Sequence, residues 1–294
     1  MRIAISGSNG QLALSLIERG ALAGQVVAAV GRPTVDLALH DDASVLAAFA
    51  AVQPQVIVNA AAYTAVDRAE SEPDLAFAIN ARGAGAVARA AVRLGVPLIH
   101  ISTDYVFSGD KQVPYLEDDE TGPTGVYGAS KLAGEQAVLA SGADTTILRT
   151  AWVYSPFGSN FVTTMLRLAG EREELTVVDD QRGNPTSALD LADAVLAVAS
   201  NLLVSSAPEL RGIFHAAGSG EASWADLAEA VFAASALRGG PAARVRPILT
   251  ANYPTPARRP ANSRLDCGKL ERLHGVRLPD WRASAAVVVA RLTR

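Results

Sequence analysis

Short apolar segments alternate with helix-length ones, a glycine-bearing turn follows the first of them, and the second half is less regular. Together these predict an α/β protein. The expected architecture is a doubly wound Rossmann-type parallel sheet over residues 1–150, with a smaller C-terminal part over residues 151–294. Some later segments should return to the sheet.

The strand candidates are residues 3–6, 26–30, 56–60, 98–102 and 146–150. They are apolar throughout rather than alternating, the pattern of parallel strands covered on both faces. Helical patterns occupy residues 11–22, 43–52, 75–94 and 127–140, so the crossovers should be right-handed. Further on, residues 161–168 and 191–198 read as helices, and 176–178 and 213–215 as short strands. Residues 224–234 are helical in pattern, and 282–291 fit a final amphipathic helix. Three prolines in residues 253–260 predict a stiff extended loop.

At 294 residues the chain can form one or two domains with a sizeable core. Its 49% hydrophobic and 19% charged content suits a compact chain, not a disordered one. A net charge of −4 argues against nucleic acid or an anionic membrane surface as partner. The single cysteine, Cys267, excludes an intrachain disulfide and a multi-cysteine zinc site. Four scattered histidines offer no histidine-rich metal site. Met1 runs directly into the first strand pattern without a leader-like segment. No window reaches the roughly 18 uncharged apolar residues of a membrane helix. The expected location is the cytoplasm.

The first turn reads Ser6-Gly7-Ser8-Asn9-Gly10-Gln11-Leu12-Ala13. Gly7 permits a tight turn, Gly10 lets the backbone approach a pyrophosphate, and Ala13 is small enough for close helix–strand packing. Free amides at the helix start would face the diphosphate. The same glycine pair also serves tight turns that bind nothing. After the second strand, Gly31-Arg32-Pro33 offers a cation and no carboxylate before Asp36. A guanidinium there suits a ribose 2′-phosphate and points to NADPH, with NADH also accepted; its alternative is a solvated loop arginine. The run Asn59-Ala60-Ala61-Ala62-Tyr63-Thr64 leaves room for a flat cofactor, or simply packs a strand end.

Thr103 leaves a central strand at its carboxyl end, where sites of open α/β sheets lie. Tyr127 and Lys131 are four apart at a helix start and share a face. Only Lys111, Lys131 and Lys269 are lysines among 26 basic residues, so this one is informative. Its ammonium should lower the phenol pKa from about 10. Tyr127 could then protonate a carbonyl oxygen as hydride arrives, with Thr103 bonding the same oxygen.

Several further stretches join these: Val58–Asp67 as Val-Asn-Ala-Ala-Ala-Tyr-Thr-Ala-Val-Asp, Ser102-Thr103-Asp104-Tyr105-Val106-Phe107, and Tyr127-Gly128-x-x-Lys131-Leu132-Ala133-Gly134-Glu135. Arg149-Thr150-x-Trp152-Val153-Tyr154, Asn160-Phe161, Asp180-Gln181-x-Gly183-x-Pro185-Thr186 and Tyr253-Pro254-Thr255-Pro256-Ala257-Arg258-Arg259-Pro260-x-Asn262-Ser263 follow. Over essentially its whole length the chain resembles the dTDP-4-dehydrorhamnose reductases of the extended short-chain dehydrogenase/reductase superfamily. The resemblance implies Thr103, Tyr127 and Lys131 as catalytic residues. It implies dinucleotide contacts from Gly10, Gln11, Leu12, Asp36, Leu37, Ala61, Ala62, Tyr63 and Thr64. Thr103, Asp104 and Trp152 would touch the sugar, although Trp152 could equally be core. Arg258 and Arg259 are candidates for shaping the nucleotide-sugar site. Some members hold magnesium at a dimer contact through a first-helix glutamate; Ser15 stands there, so no metal is expected and that dimer loses support. A homodimer stays open. Two rivals remain: a sibling reductase such as a dTDP-dihydrostreptose synthase, and a catalytically silent regulatory subunit, which the intact Thr103, Tyr127 and Lys131 set disfavours.

Overall fold

The computed structural model describes residues 1–39 and 41–293. Its first half runs β1 (Arg2–Ser6), α1 (Gln11–Leu22), β2 (Val26–Val30), α2 (Asp42–Ala50), β3 (Val56–Asn59), α3 (Val66–Ala69) and α4 (Pro73–Phe77). A π-turn, Ala78–Gly83, joins α4 to α5 (Ala84–Leu94). Then come β4 (Leu98–Thr103), α6 (Val126–Ala140) and β5 (Thr145–Thr150). The second half contains β6 (Val153–Tyr154), α7 (Phe161–Ala169), β7 (Glu174–Val178), β8 (Thr186–Ser187), α8 (Ala188–Val204) and β9 (Gly212–His215). It ends with α9 (Trp224–Ala236), β10 (Arg244–Ile248), α10 (Gly268–His274) and α11 (Trp281–Leu292).

Six strands form one sheet in the order β2-β1-β3-β4-β5-β9, every neighbour parallel. Ile3, Ile5, Val58, Ile99 and Leu148 are inaccessible on one face, and Ala4, Ile57, Leu98 and Ile147 on the other. Burial on both faces explains the absence of polar alternation in the sequence. The first set packs with α1 and α8, around Leu16, Val195 and Phe214. The second packs with α2, α5 and α6, around Phe49, Val87 and Val138. The direction of winding reverses between β1 and β3, which opens a crevice at their carboxyl ends.

After β5 the chain divides its material. The segments α8, β9 and α10 return to the sheet. The elements α7, α9, α11 and β7 enclose a separate core of Tyr154, Val177, Phe232 and Trp281. Two ribbons, β6–β8 and β7–β10, brace this smaller part; β7 contains the short strand expected at residues 176–178, whereas β6, β8 and β10 carry no sequence pattern. Helix α10 was also invisible in the sequence, whereas residues 253–260 carry no helix or strand, as their prolines predict. Ser15 is fully buried, its hydroxyl without a hydrogen-bond partner among the described residues. Helix α1 packs extensively on α8. Among the described residues no helix is long and apolar enough to cross a membrane.

A buried ion pair fixes α6 on the sheet. Arg149 of β5 donates to both Glu135 oxygens, at 2.9 and 2.7 Å, and both side chains are almost inaccessible. Replacing Arg149 with Met would leave Glu135 buried and unpaired, a loss of about 3–5 kcal/mol. Urea unfolding should show it as a lower midpoint, and adding Glu135→Met should restore much of it.

Candidate active site

At the carboxyl edge of β1, Gly7 takes a φ of +90°, a conformation that only glycine adopts without strain. Its N–H donates to the Val30 carbonyl at 2.8 Å, which draws the turn against β2. A Cβ on Gly31 would stand 3.4 Å from the Gly7 Cα, so both glycines keep this corner open. Gly10 caps α1 without a side-chain partner, and no acidic residue occupies the first turn. The first amides of α1 therefore remain available to an anion. Beneath them, Ser6 Oγ donates to Asn59 at 2.6 Å and accepts from the amides of Ala60 and Ala61. Asn59 in turn bonds His100, and burial keeps that imidazole neutral, its pKa well below the usual value.

Thr103 ends β4, and its Oγ1 accepts from the Tyr105 amide at 3.2 Å and donates to Asp104 Oδ1 at 2.9 Å. The Tyr127 hydroxyl lies beside Thr103 and Asp104. Helix α6, which carries Tyr127, starts where Glu70 accepts from the Val126 amide at 2.9 Å. Tyr127 also packs edge-on against Tyr105, ring centres 5.4 Å apart. Lys131 is buried and its Nζ donates to the Ile101 carbonyl at 2.7 Å. The π-turn supplies Asn80, which exchanges hydrogen bonds with both backbone groups of Tyr63 and reaches Ser130 at 2.9 Å. Ser130 bonds the Tyr127 carbonyl, so Asn80 joins the small-residue run after β3 to the first turn of α6.

Beside Tyr105 opens a cleft of about 740 Å³ whose lining includes Asp67, Trp152, Phe161, Gln181, Trp224 and Arg259. Trp152 holds a positive φ of 49° and stacks on Trp224 at 3.6 Å with planes 6° apart. Gln181 fixes Trp224 by accepting from its indole N–H at 3.0 Å. Across the cleft, Asp67 accepts from Arg259 at 2.6 Å and from the Ala257 amide at 3.1 Å, which straps the proline-rich loop down. Arg259 Nη1 is buried without a hydrogen-bond partner among the described residues.

The family pattern described as the RmlD substrate binding domain matches residues 1–294. The dTDP-4-dehydrorhamnose reductase of Sinorhizobium fredii is 54% identical over 289 residues, 98% of this chain and 97% of that one. The chain belongs to the dTDP-4-dehydrorhamnose reductase family. The enzyme so named from Escherichia coli is 48% identical over 235 residues, 78% of this chain and 77% of that one. Among solved structures, the family member from Clostridium acetobutylicum superimposes with a TM-score of 0.91 at 37% identity, covering 100% of both chains. The Bacillus anthracis member, solved with NADP, gives 0.89 at 36% identity over 98% of each.

Several expectations need correction. The Tyr127 pKa is raised, not lowered: burial of the hydroxyl outweighs every other influence, and the Lys131 ammonium is spent on a backbone carbonyl. Burial likewise brings Lys131 down to about 8. Leu12 and Leu37 are buried core side chains, so only their backbones can face a dinucleotide. Both ends of the Gln11 amide are engaged, with Val153 O at 3.3 Å and Ser155 Oγ at 2.9 Å. Arg258 is exposed beside Asp110 and does not line the cleft, unlike Arg259. Asp36 caps its own turn through the Ala38 amide, while Asn9, Arg32 and Thr64 are exposed on the rim.

Sequence reasoning gave no role to Asn80 or Trp224, and none to Asp67, Gln181 or Ser263, although these three stood within quoted motifs. The Asn80 carbonyl lies where a Cβ on Gly134 would meet it at 2.1 Å. Gly134→Ala should therefore force α6 off the π-turn, costing about 1–3 kcal/mol. Thermal unfolding should register the loss, and NADPH titration should show weaker binding because Asn80 and Tyr63 move with it.

Proposed function

We propose that this chain reduces the 4-keto group of dTDP-4-dehydro-6-deoxy-L-mannose to give dTDP-L-rhamnose, using NADPH. The observation that carries the reading is the grouping of Tyr127 and Lys131 on one helix beside Thr103 at the end of β4, set between an anion-ready glycine cradle and a nucleotide-sized cleft. The family's names supply the substrate class.

The cradle fits a dinucleotide because the Gly7 and Gly31 backbones pack closely together and open space lies off Gly10, where an added Cβ would meet nothing within 4 Å. Gly7, Gly10 and the following amides would hold the diphosphate, Ala60 to Tyr63 the flat rings, and Arg32 the 2′-phosphate. When bound, NADPH supplies hydride. Lys131, tethered to the sheet, is placed to hold the nicotinamide ribose. Trp152, which lines the cleft, and Asp104 would border the sugar, and Arg259, clamped by Asp67 in the same lining, would meet the nucleotide diphosphate. Thr103, its hydroxyl turned from Asp104 to the substrate, would donate to the carbonyl oxygen, and Tyr127 would protonate it as it becomes an alcohol. The raised pKa of Tyr127 keeps it protonated near neutral pH, as a proton donor must be.

Incubation with dTDP-linked 4-keto sugars and NADPH, with the product identified by its C4 configuration, tests the assignment and separates it from sibling reductases. Tyr127→Phe keeps the ring but removes the acid. It should lower kcat by about 10²–10⁴-fold while the NADPH dissociation constant moves only a few-fold. A Phe variant with near-normal turnover would remove Tyr127 from the chemistry. Arg32→Ala should raise KM for NADPH about fivefold, since the contact is exposed, and leave KM for NADH unchanged; a parallel rise in both would make Arg32 structural.

A further inference from the structure

Arg259 enters the cleft on the proline-rich loop, and a single carboxylate from the cofactor-binding half holds both the guanidinium and the loop. We propose that Asp67 is a positioning residue for the nucleotide sugar, aiming Arg259 at the place its diphosphate takes. The proposal rests on the dTDP-sugar reading above and adds the group that fixes the cation.

Asp67 stands in the first turn of α3, three residues beyond Thr64. Its two oxygens are divided between side chain and backbone. Oδ2 accepts from Arg259 Nη2 at 2.6 Å, and Oδ1 accepts from the Ala257 amide at 3.1 Å. Ala257 is buried, and Thr255, which also lines the cleft, donates to its carbonyl at 2.9 Å. Just past Arg259 the loop is fixed a second time. A Cβ added to Gly109 would stand 2.4 Å from the Pro260 Cβ, and the Asn262 amide donates to the Gly109 carbonyl at 3.1 Å. Arg259 therefore projects from a backbone gripped on both sides.

The pair is built unlike the other ion pairs of this chain. Arg19, Arg149 and Arg291 each give two N–H groups to one carboxylate, which occupies the guanidinium fork. Asp67 takes one N–H of Arg259 and uses its other oxygen on the loop backbone. Tyr105, on the cleft wall, lies beside the same guanidinium. Nη1 is buried with no hydrogen-bond partner among the described residues. An unpaired buried donor is costly, and a phosphate oxygen is an acceptor of the charge and geometry that a guanidinium favours. Arg258 is the contrast: its side chain is 68% exposed, 3.8 Å from Asp110 and outside the cleft lining. A long side chain already held in place loses less freedom when an anion arrives.

Titration with dTDP and with thymidine, which lacks the phosphates, separates positioning from charge and from loop integrity. By ligand-observed NMR, Asp67→Ala should raise the dTDP dissociation constant about five- to tenfold and leave that of thymidine within about twofold. The direction is informative, because deleting a carboxylate for its charge alone would tighten an anion. Tighter dTDP binding, or equal weakening of both ligands, overturns the proposal. In an Arg259→Ala background the same substitution should change dTDP affinity less than about twofold, since the group it aims is gone. A full loss in that background also overturns it. With keto sugar and NADPH, the sugar KM of Asp67→Ala should rise by the factor seen for dTDP, while kcat stays within about threefold. A fall in kcat with KM unchanged contradicts the role. Should Asp67→Ala fail to fold, Asp67→Asn decides, because it keeps an acceptor for the Ala257 amide and loses the ion pair. An unchanged ratio of the two dissociation constants in that variant overturns the proposal. Wild type that binds dTDP beside an indifferent Asp67→Ala refutes the positioning alone, whereas wild type that binds no dTDP refutes the nucleotide-sugar reading.

Discussion

Glu135 on α6 and Arg149 on β5 meet in two hydrogen bonds deep behind the site, and most of the reacting geometry leans on them. Glu135 also takes the Ser102 hydroxyl, one residue before Thr103, so the same carboxylate holds the strand and the helix that bear the working groups. Arg149 reaches the Glu117 carbonyl at 3.3 Å and lies 5.0 Å over the Phe107 ring, while the Glu117 side chain accepts from the His215 amide. Four elements are thereby indexed to one charge pair. Apolar residues of like volume could be as stable, but they would slide; paired charges without water tolerate one arrangement.

This constraint explains why Tyr127 and Lys131 behave differently from a tyrosine–lysine pair on an open helix. Both are drawn into the sheet's edge, where desolvation dominates their titration. Spacing four apart places the two on one face but says nothing about which carbonyl the ammonium will find. Ile101 presents that carbonyl, and only the docked helix reveals it.

The sheet was legible because its central strands are buried on both faces, which leaves a mainly apolar, non-alternating signature at 3–6, 56–60 and 98–102. The glycine turn and Thr103 were legible from their places at strand ends. The π-turn was not, since one extra residue per turn changes no periodicity that a short window resolves. With it went Asn80. The cleft lining was hidden for another reason: Asp67 and Arg259 are 192 residues apart, and Trp152 and Trp224 meet only after two α-helices and four strands intervene. Buried side chains such as Leu12 and Leu37 were misplaced toward the ligand because a motif records position along the chain, not direction.

Gln11 joins parts that the chain's organisation keeps separate. It opens the helix whose amides await the diphosphate, yet its side chain is bonded to Val153 and Ser155 beyond β5. These residues follow Trp152, at the floor of the cleft. A shift of Val153–Ser155 as the cleft fills is therefore delivered directly to the start of α1. By thermodynamic reciprocity, whatever free energy an occupied cleft adds to dinucleotide affinity, an occupied cradle must add equally to the affinity of the cleft. Any coupling between the two binding events has the same sign in both directions, and the Gln11 amide is a hydrogen-bonded link between their sites.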